Sequence, residues 1–254
     1  MIITALALGL LVGTLVGLVG GGGSILAVPA LVYGVGLPLS SAIPTSLLVV
    51  GAASAVAVLP RLRTGVNWRL AAIIGVAGIA TAYLGAMVNS LLEPRVLLLA
   101  FAVIMVVAGV TMFFTTKAVG GPCALPGGGT NWRSCLPRAL ATGAVVGFLT
   151  GLLGVGGGFL IVPALTLVLG LPMGLTIGTS LVIIVINATA GFTAYLSDLQ
   201  IDWAVTGAFT GAAMAASLAA GRLGRRLPDT VLKRGFAVFV LAVAVYVAVQ
   251  ALTG

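Results

Sequence analysis

The chain has 254 residues, of which 61% are hydrophobic and only 6% are charged, and its net charge is +8. Soluble domains are about half apolar and a quarter charged, so this composition excludes a soluble globular fold and indicates that lipid surrounds most of the chain. The cations lie in short links between apolar runs, which is typical of membrane orientation signals and argues against nucleic-acid binding.

Five apolar segments occupy the first half of the chain. The second of them, residues 24–37, has about 14 residues and reaches roughly 21 Å at 1.5 Å per residue, short of the ~30 Å hydrocarbon core of a bilayer. We therefore predict that it returns to the side from which the preceding segment enters. The other predicted segments, all of about spanning length, are 2–19, 42–59, 68–91 and 95–114.

The second half has the same organisation, after a Gly- and Pro-rich connector at 115–137. Residues 159–171 form its short segment, and its predicted spans are 138–153, 175–196, 203–221 and 231–252. The predicted domains are thus a repeat at 1–114, a cytosolic connector, and a repeat at 138–254. Cys123 and Cys135 both lie in the connector, and we interpret them as incidental thiols. The alternative is a disulfide, which would require the connector to face an oxidising compartment.

One long stretch of the sequence occurs twice. GLVGGGGSILAVPAL at 17–31 returns as GLLGVGGGFLIVPAL at 151–165, a constant offset of 134 positions. The register continues without a gap to Leu47 and Leu181, and about 17 of the 31 aligned positions are identical. This match is too high for chance even in an apolar chain, so the protein contains a duplicated unit.

The distribution of charge predicts the topology. If the first two segments of each repeat form a hairpin that enters and leaves on one side, and three crossings follow, most Lys and Arg residues share a side. A single crossing of 2–37 would scatter them over both faces, so the positive-inside rule favours the hairpin, with both termini outside. An odd number of crossings inverts the second repeat. The predicted fold is therefore an all-α polytopic membrane protein with two inverted repeats of about five helical segments each, an architecture typical of secondary transporters.

The glycine clusters that open the two short segments are predicted to meet near the middle of the membrane. A helix N-terminus presents unpaired N–H donors and roughly half a positive charge, so two such ends form an anion site without any Lys or Arg. Ser24 is a good N-cap residue for the first of them. Close helix packing is the alternative explanation of the glycines.

The candidate substrate-binding residues lie at or near these two tips. Two prolines remove a backbone donor each and favour a kink that shapes the cavity, or only a packing kink. Two Thr-Ser pairs open the following segments, where their hydroxyls and nearby N–H groups can donate to an oxyanion, or serve as N-caps or interhelical links. Asn187 is the only amide in its apolar run, which indicates a site residue or a contact between helices. The full set is Gly20, Gly21, Gly22, Gly23, Ser24, Pro29, Thr45, Ser46, Gly154, Gly156, Gly157, Gly158, Pro163, Thr179, Ser180 and Asn187.

Other kinds of chemistry are not supported by the residue types. No ionisable residue falls in the middle of a predicted span, so the chain has no obvious intramembrane proton carrier. Serines without any histidine cannot assemble a general-base nucleophile system, so we predict no enzymatic activity. For the same reason we predict no metal site, and we expect no cofactor. Arg61 and Arg63, at the predicted cytosolic mouth, can attract anions or serve only as orientation signals.

The duplicated G-x-x-G-x-GG…VPAL…GLP…TS pattern resembles the sulfite exporter TauE/SafE family of membrane permeases, and the resemblance covers both halves of the chain. It implies transport of a small sulfur-containing anion, such as sulfite or an organosulfonate, often outward, across a bacterial inner membrane. It places the family's glycine and proline motifs at 20–23 with Pro29 and at 154–158 with Pro163. Because Ser24 aligns with Gly158, we expect the two tips to be unequal.

Two alternatives to a carrier remain at this stage. A channel-like electrogenic pathway would conduct the anion without alternating access. A non-transporting membrane subunit would bind a soluble partner through the basic connector from Lys117 to Arg138. The expected partners are thus a small anion and the lipid bilayer, and a homodimer is left open.

Overall fold

The computed structural model describes residues 2–62, 65–89, 94–114, 132–153, 158–194, 202–224 and 227–253. Every regular element in these ranges is helical, and seven of the helices are long and apolar enough to cross a membrane, which confirms the all-α polytopic fold. The helices are α1 Ile2–Val19, α2 Gly23–Pro29, α3 Leu39–Val58, α4 Trp68–Asn89, α5 Pro94–Phe114, α6 Trp132–Leu153, α7 Gly158–Pro163, α8 Met173–Ala194, α9 Trp203–Gly224 and α10 Asp229–Thr253. Short π-helical segments extend α2 and α7, at Ala30–Val35 and Ala164–Val168, and the 3₁₀ turn Leu59–Arg61 extends α3.

Helix α6 begins earlier than the sequence indicates. Residues 132–137, which the sequence assigns to the connector at 115–137, already form the first turns of α6, and Pro137 lies inside the helix. The proline removes one N–H donor from the second turn without ending the helix. Cys135 is buried in α6 and disulfide-bonded, so its interpretation as an incidental thiol is wrong. Cys123 and most of the connector lie outside the described residues.

The first short segment folds back along α1. At the start of the segment, a Cβ built on Gly23 would lie 2.5 Å from the Val12 carbonyl oxygen. Near its end, Gly34 faces the side chain of Leu8. Because the contact moves backward along α1 as the chain advances, the two segments form an antiparallel hairpin. The whole short helix, Gly23–Val35, is 13 residues long and therefore roughly 20 Å in length, which confirms that this segment is too short to span a bilayer as a helix.

Both short segments end in the same way, which explains the repeated Gly-Leu-Pro. Gly36 and Gly170 have φ values of +85° and +68°, the left-handed conformation that glycine adopts at little cost. This conformation lets the Leu37 N–H donate to the Leu31 carbonyl at 3.0 Å, and the Leu171 N–H donate to the Leu165 carbonyl at 3.1 Å. The following proline then starts the chain in a new direction.

Two long helix pairs pack closely through small residues, and the members of each pair run parallel. Helix α1 packs along α9, and α6 packs along α4, so the first helix of each repeat contacts the fourth helix of the other. Contacts advance in step along both members of each pair, and glycines allow the close approach. The facing pairs are Gly9 with Phe209, Gly13 with Ala213, Gly17 with Ser217, Gly143 with Ile74, Gly147 with Gly78, and Gly151 with Ala82.

The equivalent helices α3 and α8 cross at the centre of the bundle in opposite directions. Gly51 faces Ala188, while Gly191 faces Leu47, so the contact moves backward along α3 as it advances along α8. More than half of the residues in the spanning windows of α3, α8 and α9 are buried, compared with a third in α4, α6 and α10, which present more apolar surface outward. Helices α3 and α8 therefore form the core against which the short segments pack.

The directions of the helices place positively charged residues at one end of the molecule, which we call the basic end. This holds for every Lys and Arg whose side chain the structure describes. Helices α3 and α9 end there, where Arg61 donates to the Gly221 carbonyl. Helices α4, α6, α8 and α10 begin there, and the Asp229 carboxylate at the start of α10 accepts a hydrogen bond from the Met173 N–H at the start of α8. Asp202, at the start of α9, lies at the opposite end. The cations at the basic end are Arg61, Arg69, Arg138, Arg222, Lys233 and Arg234.

Candidate functional site

The starts of the two short helices touch each other. A Cβ built on Gly21 would overlap the carbonyl oxygen of Gly158, and a Cβ on Gly158 would lie 3.2 Å from the Gly21 carbonyl oxygen and 2.7 Å from the Ser24 hydroxyl. The Ile184 side chain, halfway along α8, lies over both glycines, which places the junction at mid-length of the core helices. The geometry thus brings together backbone from the two glycine clusters, and only glycine permits this approach.

Ser24 does not cap α2, although the sequence predicts that it does. The N-cap residue is Gly22, without a side-chain hydrogen bond, and Ser24 already lies within the first turn. Its buried hydroxyl donates to the Gly21 carbonyl at 2.7 Å. The prediction fails because the helix starts at Gly23, so the serine turns back onto the glycine tip instead of accepting from an N–H group ahead of it.

The other glycines of the first tip have separate roles. Gly20 adopts a left-handed φ of +75°, and its carbonyl accepts a hydrogen bond of 2.6 Å from the Ser180 hydroxyl on α8. Gly22 faces the rings of Phe236 and Phe239, with a built Cβ 3.2 Å from Cε1 of Phe239. Gly23 packs on α1, as described above. The packing explanation therefore accounts for Gly23, while Gly20 and Gly21 form the tip itself.

The two Thr-Ser pairs lie inside helices and do not open them. Helix α3 begins at Leu39 and α8 at Met173, so the N–H groups beside the pairs belong to helix interiors and are not available as extra donors, contrary to the prediction. Ser46 donates to the Ile43 carbonyl at 2.7 Å in its own helix. The Thr179 hydroxyl accepts from the Asn67 N–H at 3.1 Å, and thereby ties α8 to the loop before α4.

Thr45 differs from its counterpart Thr179. It is fully buried, and its hydroxyl has no hydrogen-bond partner among the described residues. The counterpart of Asn67 in the second repeat is Ile201, which lies outside the described residues.

A small cavity lies between the first tip and the core helices. Its volume is about 10 Å³, which is room for one water molecule. The hydroxyl-bearing residues Ser24 and Ser46 contribute its polar lining. Its apolar lining residues are Val28, Leu47, Val50 and Ala188.

Comparison with known proteins now places the chain. The family model described as "Sulfite exporter TauE/SafE" matches residues 5–247, nearly the whole sequence. The chain belongs to the TauE/SafE family. The resemblance seen in the repeated glycine motif is thereby confirmed, and membrane transport is the shared character of the family.

Two curated relatives of this TauE/SafE chain come from Xylella fastidiosa. Both are named "Probable membrane transporter protein"; the one from strain 9a5c is 36% identical over 176 residues and the one from strain Temecula1 is 37% identical over 179 residues. Each match covers 67% of this chain and 65% of the relative, so the chain spans about two thirds of their length. No solved structure matches the chain.

The two prolines of the repeated motif mark a change in helix type. In both short segments the α-helix ends at the proline, Pro29 or Pro163, and a π-helix follows directly. A proline has no N–H to donate to the carbonyl four residues earlier, so it interrupts the α-helical hydrogen-bond pattern, and the helix continues beyond it with wider turns. Neither proline lines the small cavity, so the cavity-shaping kink predicted from the sequence stays a prediction.

Asn187 lies to one side of the tips. Its amide nitrogen is 3.9 Å from a Cβ built on Gly78, at the contact of α8 with α4. Its Oδ1 is buried and has no hydrogen-bond partner among the described residues. It is therefore a polar group at the level of the core, but it does not line the 10 Å³ cavity.

Three predicted site residues, Gly154, Gly156 and Gly157, lie outside the described residues. Sequence reasoning also missed apolar residues at the junction, namely Ile184 over both tips and Phe236 and Phe239 against Gly22. An isolated Ile or Phe in an apolar helix carries no sequence signal, because it looks like any residue that faces lipid or core.

Proposed function

We propose that this chain is a permease that carries a small sulfur-containing anion, such as sulfite or an organosulfonate, outward across the bacterial inner membrane. The observation that supports it most directly is the contact between Gly21 and Gly158, the starts of two half-length helices, at mid-length of the core helices. Family membership supports membrane transport, and the anion and the direction are our proposal.

The proposed anion site uses backbone donors. Two helix starts meet at one place, and no side chain caps the start of α2. The Ser24 N–H donates to the Gly21 carbonyl at 3.2 Å, so we propose that other N–H groups of the first turns bind the anion once the tips separate. The hydroxyls of Ser24 and Ser46 line the neighbouring cavity and can turn to donate to an oxyanion. Such a site holds negative charge in the membrane without the cost of burying a fixed cation.

The proposed mechanism is alternating access between inverted repeats. Helices α3 and α8 are equivalent in the duplication and run in opposite directions, which supports this arrangement. The contact of α1 with α9 also has its equivalent in the contact of α6 with α4. Rocking of one repeat against the other exposes a midplane site to each side in turn. A cavity of 10 Å³ is too small for a sulfur oxyanion, so the tips must separate to load it. This closed junction favours a carrier over a permanently open channel.

The orientation is also part of the proposal. We place the basic end in the cytosol, with both termini outside, because cationic residues are retained on the cytosolic side. Of the described cations, Arg95 at the start of α5 is the one we assign to the outer side, with Asp202.

The proposal is tested by Gly21→Ala in proteoliposomes that contain the purified protein. A Cβ at this position pushes against the Gly158 backbone, and such overpacking costs about 1–3 kcal/mol, so we expect sulfite flux to fall at least about tenfold. Gly211→Ala in α9, where a Cβ meets nothing within 4 Å, is the matched control. Size-exclusion profiles of both variants should match the parent. Normal sulfite flux in Gly21→Ala would show that the tips do not form the site.

A further inference from the structure

A second cavity, much larger than the one at the tips, opens at the basic end. Its volume is about 310 Å³, the lower end of the range of small-molecule pockets. It lies among the end of α9, the turn after α3 and the starts of α8 and α10, and Arg61, Gly174, Leu175, Gly224, Leu227 and Asp229 are among its lining residues. We call it the vestibule.

Arg61 is the buried charge of the vestibule. Only 4% of its surface is exposed, although it lies in the turn that follows α3, where an arginine side chain usually extends into water. The main chain holds it in place: the Gly65 N–H donates to the Arg61 carbonyl at 2.8 Å, and Gly65 itself packs against Gly178 of α8. An orientation signal needs only to lie in the link, and this arginine is instead built into a cavity wall.

The guanidinium lies beside the last turn of α9. Its Nη2 atom donates to the Gly221 carbonyl over a long 3.5 Å, and it would lie 3.1 Å from a Cβ on Gly224. A guanidinium carries five N–H donors in a planar fork that matches two oxygens of an oxyanion. Glycine at 224 leaves open the space next to this fork.

The other ionisable residue among the described lining of the vestibule has a different task. Asp229 is exposed to solvent, and its Oδ2 accepts the Met173 N–H at 3.2 Å, so the carboxylate caps the start of α8. Its charge is directed at the positive end of that helix and is screened by water. The buried guanidinium therefore dominates the inner part of the cavity.

The vestibule lies on the way to the tips. Leu175 lines it, and Ser180, five residues further along α8, donates to the Gly20 carbonyl at the first tip. Five residues of helix rise about 7.5 Å, so along α8 the vestibule wall lies roughly one and a half helical turns from the residue that contacts the first tip.

We propose that the vestibule is a first binding site for the transported oxyanion, and that Arg61 binds its oxygens before the anion enters the junction of the tips. This inference rests on the proposed anion transport, but it concerns a separate site with its own residue. It predicts that Arg61 determines apparent affinity at the basic end, whereas the glycine tips determine the rate of transfer.

The transport test compares Arg61→Gln, Arg61→Lys and Arg222→Gln in proteoliposomes, with sulfite presented at the basic end. Arg222 is exposed at the same end and does not line the vestibule, so Arg222→Gln removes the same charge from the same face. We expect Arg61→Gln to raise the KM for sulfite about tenfold or more, Arg61→Lys to raise it less, and Arg222→Gln to change it less than about twofold. Equal effects of Arg61→Gln and Arg222→Gln on KM would overturn the proposal, as would a loss of maximal rate at unchanged KM.

A labelling test does not require Arg61 to be altered or flux to be measured. Leu227 is half-buried in the vestibule wall, and Leu227→Cys puts a thiol there. We expect an anionic methanethiosulfonate to modify this thiol faster than a cationic one of similar size, and sulfite or methanesulfonate to slow the reaction. Parent protein controls for the native cysteines. If neither anion protects the thiol, the vestibule site is refuted. If protection persists in the double variant Leu227→Cys with Gly21→Ala, anion binding in the vestibule is independent of the tips.

Discussion

At the scale of single residues, identical sequence positions in the two repeats have different roles. Ser46 and Ser180 are equivalent in the duplication, yet Ser46 bonds only to its own helix, while Ser180 also bonds to the Gly20 carbonyl. Thr45 and Thr179 differ in the same way. The two copies of each hydroxyl therefore make different contacts, although the sequence around them is repeated.

The serine pair gives a matched stability prediction. Ser180→Ala leaves the buried Gly20 carbonyl without its partner across the helix contact, so we expect a loss of about 1–2 kcal/mol in unfolding free energy. Ser46→Ala removes only a bond within one helix turn and should cost clearly less. Thermal unfolding of both variants in the same detergent measures the difference. Equal melting temperatures would mean that the bond to Gly20 contributes nothing to stability.

At the scale of elements, the short segments are specified by their ends. Glycines start them at the tips, proline changes them from α to π-helix, and a left-handed glycine followed by Leu-Pro ends them. The same sequence signals occur in both repeats, and the described parts of both segments have the same geometry. Local sequence signals that occur in both repeats therefore mark where these helices end.

The terminating glycine provides the element-scale prediction. Gly36 has a φ of +85° with nothing within 4 Å of a built Cβ, so Gly36→Ala introduces backbone strain without any clash. A left-handed conformation costs an L-residue about 1–2 kcal/mol, and we expect that loss in unfolding free energy. Gly235→Ala in α10 is the control, because its Cβ also meets nothing within 4 Å and its φ is ordinary. If both variants melt at the parent temperature, the left-handed turn is not retained in the membrane.

At the scale of the whole molecule, two observations give opposite orientations. The described cations with known side-chain positions gather at one end, which the positive-inside rule assigns to the cytosol. The disulfide of Cys135 lies at the start of α6, at the same end, and disulfides persist in oxidising compartments. We expect charge to decide the orientation, because it acts during insertion, before a disulfide can form.

Thiol labelling tests this orientation. Trp203→Cys and Thr230→Cys place exposed thiols at opposite ends of the molecule, at the starts of α9 and α10. We expect an impermeant maleimide added to intact spheroplasts to label Trp203→Cys, and to label Thr230→Cys only after permeabilisation. Labelling of Thr230→Cys alone would place the basic end outside, and labelling of both would contradict the opposite placement of the two ends.

The sequence by itself determined the membrane character, the duplication, the short segments and the glycine tips, because composition, repeat register and segment length are local properties of the chain. It also gave the correct family. The tertiary structure decided which glycines form the tip and which only pack, because that depends on what lies opposite each Cα. It moved the Thr-Ser pairs into helix interiors, since helix starts depend on the turn before them. It also put Arg61 in a cavity wall, which no linear pattern can show, because the wall is assembled from three stretches of the chain, 61–65, 172–175 and 224–232, that are distant in sequence.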